Sequence, residues 1–430
     1  QIAHGAIRTY VMGDRGSNNE PANATDIAQM KKLVHEAIDA GALGVSTSRV
    51  LGHRAMNGEP VPGTFAAEDE LYGLGEALRD AGSGVFELAP AGADGQDLGN
   101  APKEMEWMKR LSATIQRPVT FALLQNETEP SLWKQLLEES LEATEQGSQC
   151  FPQVAGRPFG LLIGLQTHHA FAKRPTFINI AHLPHNELVE QLQQSSTRSA
   201  ILNETDTDPD PKILFDGMSR MIQSMLHRLY PMGEIPDYEP DPTQSFVSIA
   251  ETRNTTPEAV LYDYMLENDG YAMGMMPIFN YVDGNHDVIR EMLLHPQAVS
   301  GLSDGGAHCG MICDASIPTF MLSHWTRDRT RGKKLPLEWI IKKQTNDTAS
   351  LYGLNDRGTL HAGKRADINV IDYNALTLHG PKMAHDLPAG GRRLLQEATG
   401  YDYTIVAGTI TRQSGQDTGQ RPGRLIRGAR

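Results

Sequence analysis

The feature that most constrains this chain is its order. Short apolar runs alternate with longer amphipathic ones through the first 155 residues. Residues 24–41 carry apolar side chains at three- and four-residue spacing and stop at a glycine, which predicts a helix. LGVSTS (43–48) follows as a buried strand. Residues 68–81, 101–115 and 130–146 repeat the helical spacing, and each leads into a strand: GVFELAP (84–90), PVTFALLQ (118–125) and SQCFPQVA (148–155). Ahead of them, Ile2 to Arg8 reads as a strand end. Strand and helix in strict alternation imply a parallel sheet with helices outside it.

Residues 157–250, rich in Pro, Asp, His and Gln, break the rhythm and are expected to form a long insertion near the mouth of a barrel, helical near 212–229. The rhythm resumes with MMPIFNY (275–281), a helix at 285–294, AVSGLSD (298–304) and a helix at 336–352. From Asp356 the pattern becomes short alternating runs, ADINVID (366–372) and YTIVAGTITRQSG (403–415), with Gly408 at a tight turn. The expected division is a barrel over 1–355, carrying the insertion, and a small β unit over 356–430. About six segments, with 275–281 as a further candidate, qualify as barrel strands, whereas a closed barrel needs eight. The chain begins with Gln1, not Met, so two further strands are expected upstream.

Composition narrows the function. Thirty-nine basic against 53 acidic residues leave a formal charge of −14, which gives neither nucleic acid nor an anionic membrane an electrostatic reason to bind. No apolar run is long enough to span a bilayer. Three cysteines in 430 residues point to a reducing, cytoplasmic compartment. Cys309 and Cys313, beside His308, lack further ligands at a recognised spacing and read as small buried thiols. The pairs His168/His169 and His182/His185 lie in the insertion and read as solvated loop histidines.

GKRADINVID followed by TIVAGTITR resembles the closing signature of the amidohydrolase superfamily. The run from GLSDGGAHCG through HWTRDRTRGKKLPLEW to LYGLNDRG resembles the D-aminoacylase branch, amidohydrolase family 3, as do AHGAIRTYVMG and GALGVSTSR. The resemblance implies a TIM-like (β/α)8 barrel with a small β-sandwich. It implies hydrolysis of a linear amide C–N bond, of N-acyl-D-amino acids, by metal-activated water. The general acid/base and metal ligand is then the Asp ending the eighth strand, Asp304. Gly305 and Gly306 after it permit a tight turn. Substrate-binding candidates are His4 and Arg8 in the HGxxR pattern, Arg49, Arg157, Asn280 and His308. For His4 with Arg8 a buried structural pair is the equal alternative, and for Arg49 a surface salt bridge.

Two departures from the family pattern qualify this. The HxH of its first strand and the Cys of its second would lie upstream of Gln1. The strands ending near Ala89 and Gln125 carry no His; Glu87 and Gln125 stand there instead. One zinc ion, with most ligands upstream, is therefore expected. A small-molecule substrate is implied, and a homo-oligomer is allowed. Two other readings stay open. One is a cyclic-amide hydrolase, although no strand end carries the Lys those enzymes use. The other is a ligand-binding relative, or a truncated form, without catalysis.

Overall fold

The computed structural model describes residues 1–210, 213, 215–301 and 308–428. Among the described residues, nine strands precede the C-terminal region: β1 (Ile2–Ala3), β2 (Gly44–Ser48), β3 (Val85–Ala89), β4 (Val119–Ala122), β5 (Cys150–Val154), β6 (Phe159–Ile163), β7 (Tyr230–Pro231), β8 (Gly274–Phe279) and β9 (Val299–Ser300). Six of them form one parallel sheet in the order β1-β2-β3-β4-β5-β9. Register puts Val45, Phe86, Val119 and Cys150 in one row. All four are fully buried and pack on the helices; the Phe86 ring meets Trp107 edge-on at 6.3 Å. The alternate row, Ser46, Glu87, Thr120 and Phe151, faces the lumen.

The helices on the outer face follow their sequence pattern closely. They are α1 (His4–Met12), α2 (Asp14–Ser17), α3 (Ala24–Asp39), α4 (Glu68–Ala81), α5 (Ala101–Ile115) and α6 (Leu132–Glu145). Helix α4 buries Leu71, Leu74, Ala77 and Leu78, opens on three acidic residues that complement its dipole, and stops at Gly82 in the left-handed region (φ 68°). Helix α3 starts in a capping box. The Asn23 side chain accepts from the Thr25 and Asp26 amides, and Asp26 accepts from the Asn23 amide. Asn23→Ala is expected to cost about 1 kcal/mol, seen as a lower denaturant midpoint with an unchanged m-value.

Two expectations need correction. Residues 275–281 do not join the parallel sheet; β8 pairs antiparallel with both β6 and β7 in a separate three-stranded sheet. That sheet has its own apolar cluster, including Leu161, Ile163, Phe171, Leu229, Phe246 and Met276. A short continuous apolar run signals burial on both faces, whichever direction its neighbours take, so the sequence did not separate the cases. The first segment is also shorter than expected. Strand β1 ends at Ala3 and α1 begins at His4, so Arg8 sits on a helix one turn beyond His4.

The remaining elements are simpler. Within 212–229 the helix is Met218–Ser224, followed by a 3-10 turn at Leu226–Arg228. The helix expected over 336–352 runs from Leu337 to Leu351, widening into a π turn at Lys343–Asp347. Toward the C-terminus, strand Ile368–Ile371 pairs antiparallel with Tyr401–Val406. The latter turns through Ala407 (φ 50°) and Gly408 (φ 80°) into Thr409–Gln413, a two-residue hairpin that needs positive φ at both positions. No helix among the described residues is long and apolar enough to cross a membrane.

Candidate active-site pole and a buried histidine cluster

Catalytic groups of a parallel barrel project from the C-terminal ends of its strands. At that pole β3 turns Glu87 into the lumen, settling a direction the sequence left open. One carboxylate oxygen accepts from Gln153 Nε2 (3.1 Å) and the other from Gln1 Nε2. Tyr352 lies close enough that its hydroxyl pKa is raised, first by burial and further by the Glu87 charge. Gln153 stands in register with Val299 of β9, five positions before Asp304 in the sequence. Asp304 itself lies outside the described residues.

Gln125, the other possible replacement ligand, is occupied elsewhere. Its amide donates to Asn280 Oδ1 (2.7 Å) and its carbonyl accepts from the Asn280 amide (3.0 Å). Its side chain donates to Asp283 (3.2 Å) and accepts from the Val282 amide (3.3 Å). Asn280 is fully buried in a left-handed conformation (φ 62°), where Asn is among the tolerated residues. It therefore pins the β4 exit to the segment after β8. Glu87 is thus a lumen-facing carboxylate whose oxygens accept from two side-chain amides.

The cationic candidates each have partners. His4 Nε2 donates to Glu70 (2.8 Å) and Nδ1 meets Thr47 Oγ1 (2.9 Å). Arg8 binds both oxygens of the same carboxylate and donates to the Gly16 carbonyl (3.3 Å). All three side chains are at most 2% exposed. Gly63 (φ 101°) lies under the imidazole, and a Cβ there would come within 2.8 Å of Nδ1. Arg49 Nε is paired with the buried Glu104 (2.9 Å), and its Nη1 donates to the Ala66 carbonyl (2.8 Å). Arg157 stacks over Tyr238 (3.8 Å to the ring centroid) and donates through Nη2 to Cys313 O (2.5 Å) and Asp314 (3.3 Å). Its buried Nη1 has no hydrogen-bond partner. His308 is exposed, with φ 53° and its ring 6.0 Å from that of Phe215.

The loop histidines divide. His182 is exposed, and His185 donates to the Asp269 carbonyl (2.9 Å). His169 is buried with its ring edge-on to Phe177 (4.4 Å), and burial lowers its pKa to about 3. It is a core histidine, not the solvated one expected. Cys150 and Cys313 are buried free thiols whose pKa values burial raises to about 12 and about 11, respectively.

One constellation went unforeseen. Glu239, His286 and His324 are the group among the described residues whose ligating atoms lie within 4.8 Å of one another. His286 N-caps the helix Asp287–Leu294, and His324 follows the helix Ile317–Ser323. The neighbouring Trp325 indole donates to the carbonyl of Gly156 (2.7 Å), two residues past β5. Glu239 is held by Arg329 through both oxygens (3.1 and 2.8 Å) and accepts from the His286 amide (2.7 Å). Burial opposes the Glu239 charge, but hydrogen bonds from His324 and Arg329 overcome it and hold its pKa well below the usual carboxylate range. The three residues are 47 and 38 positions apart, so no local spacing announced them. The sole sequence signal was HWTRDR, read only as part of a family stretch.

Uncharacterized proteins of Mycobacterium bovis and Mycobacterium tuberculosis are each 27% identical to this chain over 456 aligned residues, covering 97% of it and 68% of their own length. Among solved structures, a D-aminoacylase with a binuclear metal centre superposes with TM-score 0.56 at 19% identity. The N-acyl-D-glutamate deacylase of Bordetella bronchiseptica, complexed with zinc and a phosphonate inhibitor, gives 0.55 at 16%. Both alignments cover 99% of this chain and 70% of the other, and they show the barrel with its β-sandwich. The family described as "Amidohydrolase family" matches residues 1–228 and 255–412. The chain therefore belongs to the amidohydrolase family.

Proposed function

We propose that the chain hydrolyses the amide bond of N-acyl amino acids, of the N-acyl-D class, at the pole where Glu87 faces the lumen. The observation that carries this reading is a family match running through both flanks of that pole, and the deacylases that share the fold give it a substrate class. Asp304 is the general acid/base. Its carboxylate takes a proton from the attacking water and returns it to the leaving nitrogen, without which an amine is too basic to depart. Glu87 and Asp304 are this chain's candidates to hold a divalent cation. Such an ion, when bound, acidifies water and polarises the scissile carbonyl. His308, exposed and four residues past Asp304, meets substrate at the rim.

The test is amine release by the full-length protein, with and without added zinc, from paired N-acyl-D- and N-acyl-L-amino acids, with hydantoins and dihydropyrimidines alongside. Zinc-dependent release from the D series is expected. Ring opening of the cyclic amides with no release from either acyl series would replace this reading with the cyclic-amide one.

A further inference from the structure

The structure assigns a second divalent-cation site, away from the lumen, to His286 Nδ1, His324 Nε2 and Glu239 Oε2. The argument begins with protons. His286 Nε2 lies 2.8 Å from the Tyr238 carbonyl, which can only accept, so the ring proton is there and Nδ1 carries a lone pair. That lone pair faces His324 Nε2 at 3.2 Å and Glu239 Oε2 at 3.7 Å. His324 Nε2 is in turn 3.1 Å from Glu239 Oε2. In the tautomer of neutral His324 that carries its proton on Nδ1, three lone pairs converge here. A cation in their midst satisfies all three.

The dimensions suit an ion of the zinc class. A triangle with those three sides has a circumradius of about 1.9 Å, so an ion less than about 1 Å above its plane stands roughly 2.0–2.1 Å from every corner, the bond length zinc takes to imidazole and carboxylate. Two imidazoles and one carboxylate on one face also suit other first-row divalent ions.

The surroundings are those of a ligand set already oriented. The His286 ring is wedged among Tyr281, Phe320 and Trp325, and its far nitrogen is fixed by a backbone carbonyl. Arg329 and the His286 amide occupy Glu239 Oε1, while Oε2 takes the weaker Arg329 contact and turns to the imidazoles. The Arg329 charge is shared between Glu239 (2.8 Å) and Asp287 (2.9 Å), so it is not spent on Glu239 alone. Access exists on one side. Glu239 and His324 line a cleft of about 420 Å³ that also touches Asp237, Ser323 and Thr377. The site thus has three protein ligands and an open position toward solvent.

The experiment is metal titration of the chelator-stripped 430-residue protein with zinc and with cobalt(II), whose visible bands report ligand number. Asp304→Asn protein is expected to retain one equivalent of cobalt with a visible band. His324→Gln added to that Asp304→Asn background, at a side chain 14% exposed, should lose that equivalent while keeping its far-UV circular dichroism. Should His324→Gln fail to fold, zinc-edge X-ray absorption on Asp304→Asn protein still decides, because two imidazoles in the first shell are required. A band that survives His324→Gln, a wild type that takes up no ion, or zinc without two imidazoles would overturn the assignment. Loss of this site alone leaves the hydrolytic reading untouched, since that reading stands on turnover, whereas a wild type that takes up no ion at all would count against both.

Discussion

Asp304→Asn is expected to lower kcat on the best N-acyl amino acid by roughly a hundredfold to ten-thousandfold, the range that a positioned acid/base contributes. The side chains are nearly isosteric, so the substitution itself gives the backbone no steric reason to change. What changes is that an amide cannot accept a proton from water and hand it on. Because Asp304 is also expected to ligate, part of the loss would come from weaker metal binding. Saturating zinc separates the two effects: it restores whatever is due to occupancy and leaves the proton-transfer deficit. The residual activity should also lose the limb of the pH profile that reports the base. Unchanged kcat at saturating zinc would remove Asp304 from its assigned role.

The sequence was legible where structure is local and one-sided. Helices 68–81 and 101–115 were read to their terminal residues, because Leu71, Leu74 and Leu78, or Met105, Met108 and Leu111, mark one face at helical spacing. It was illegible where partners are remote. Pairing Phe159 with Phe279 spans 120 positions and leaves no periodic trace, so β8 was counted with the barrel strands. Glu239, His286 and His324 meet only because separate segments converge behind β5. The direction of Glu87 needed the register, since alternation names the residues sharing a face and not which face is the lumen. The family motif around Asp304 was readable for the opposite reason: it is contiguous.

Glu70→Gln is expected to destabilise the fold by about 3–5 kcal/mol at neutral pH, the cost of breaking a buried ion pair from one side. Glu70 serves two partners at once, His4 and Arg8, and ties the start of α1 to the first turn of α4. Glutamine preserves the volume but leaves the Arg8 guanidinium, 1% exposed, without a counter-charge. The pH dependence has a definite sign. Burial pushes the Glu70 pKa up, but the hydrogen bonds from His4 and Arg8 outweigh it, so the folded value lies below the ordinary 4.5. A depressed carboxylate stabilises the fold fully above its unfolded pKa and ceases to do so as pH falls through the folded one. The stability gap between wild type and Glu70→Gln should therefore be constant from neutral pH down to about 5 and shrink in more acidic solution, as the wild-type carboxyl protonates. Denaturation midpoints across that range measure the gap directly. A gap that widened with acid would mean that Glu70 is protonated in the native fold, and the His4–Glu70–Arg8 contacts would then not be the ionic tie between α1 and α4.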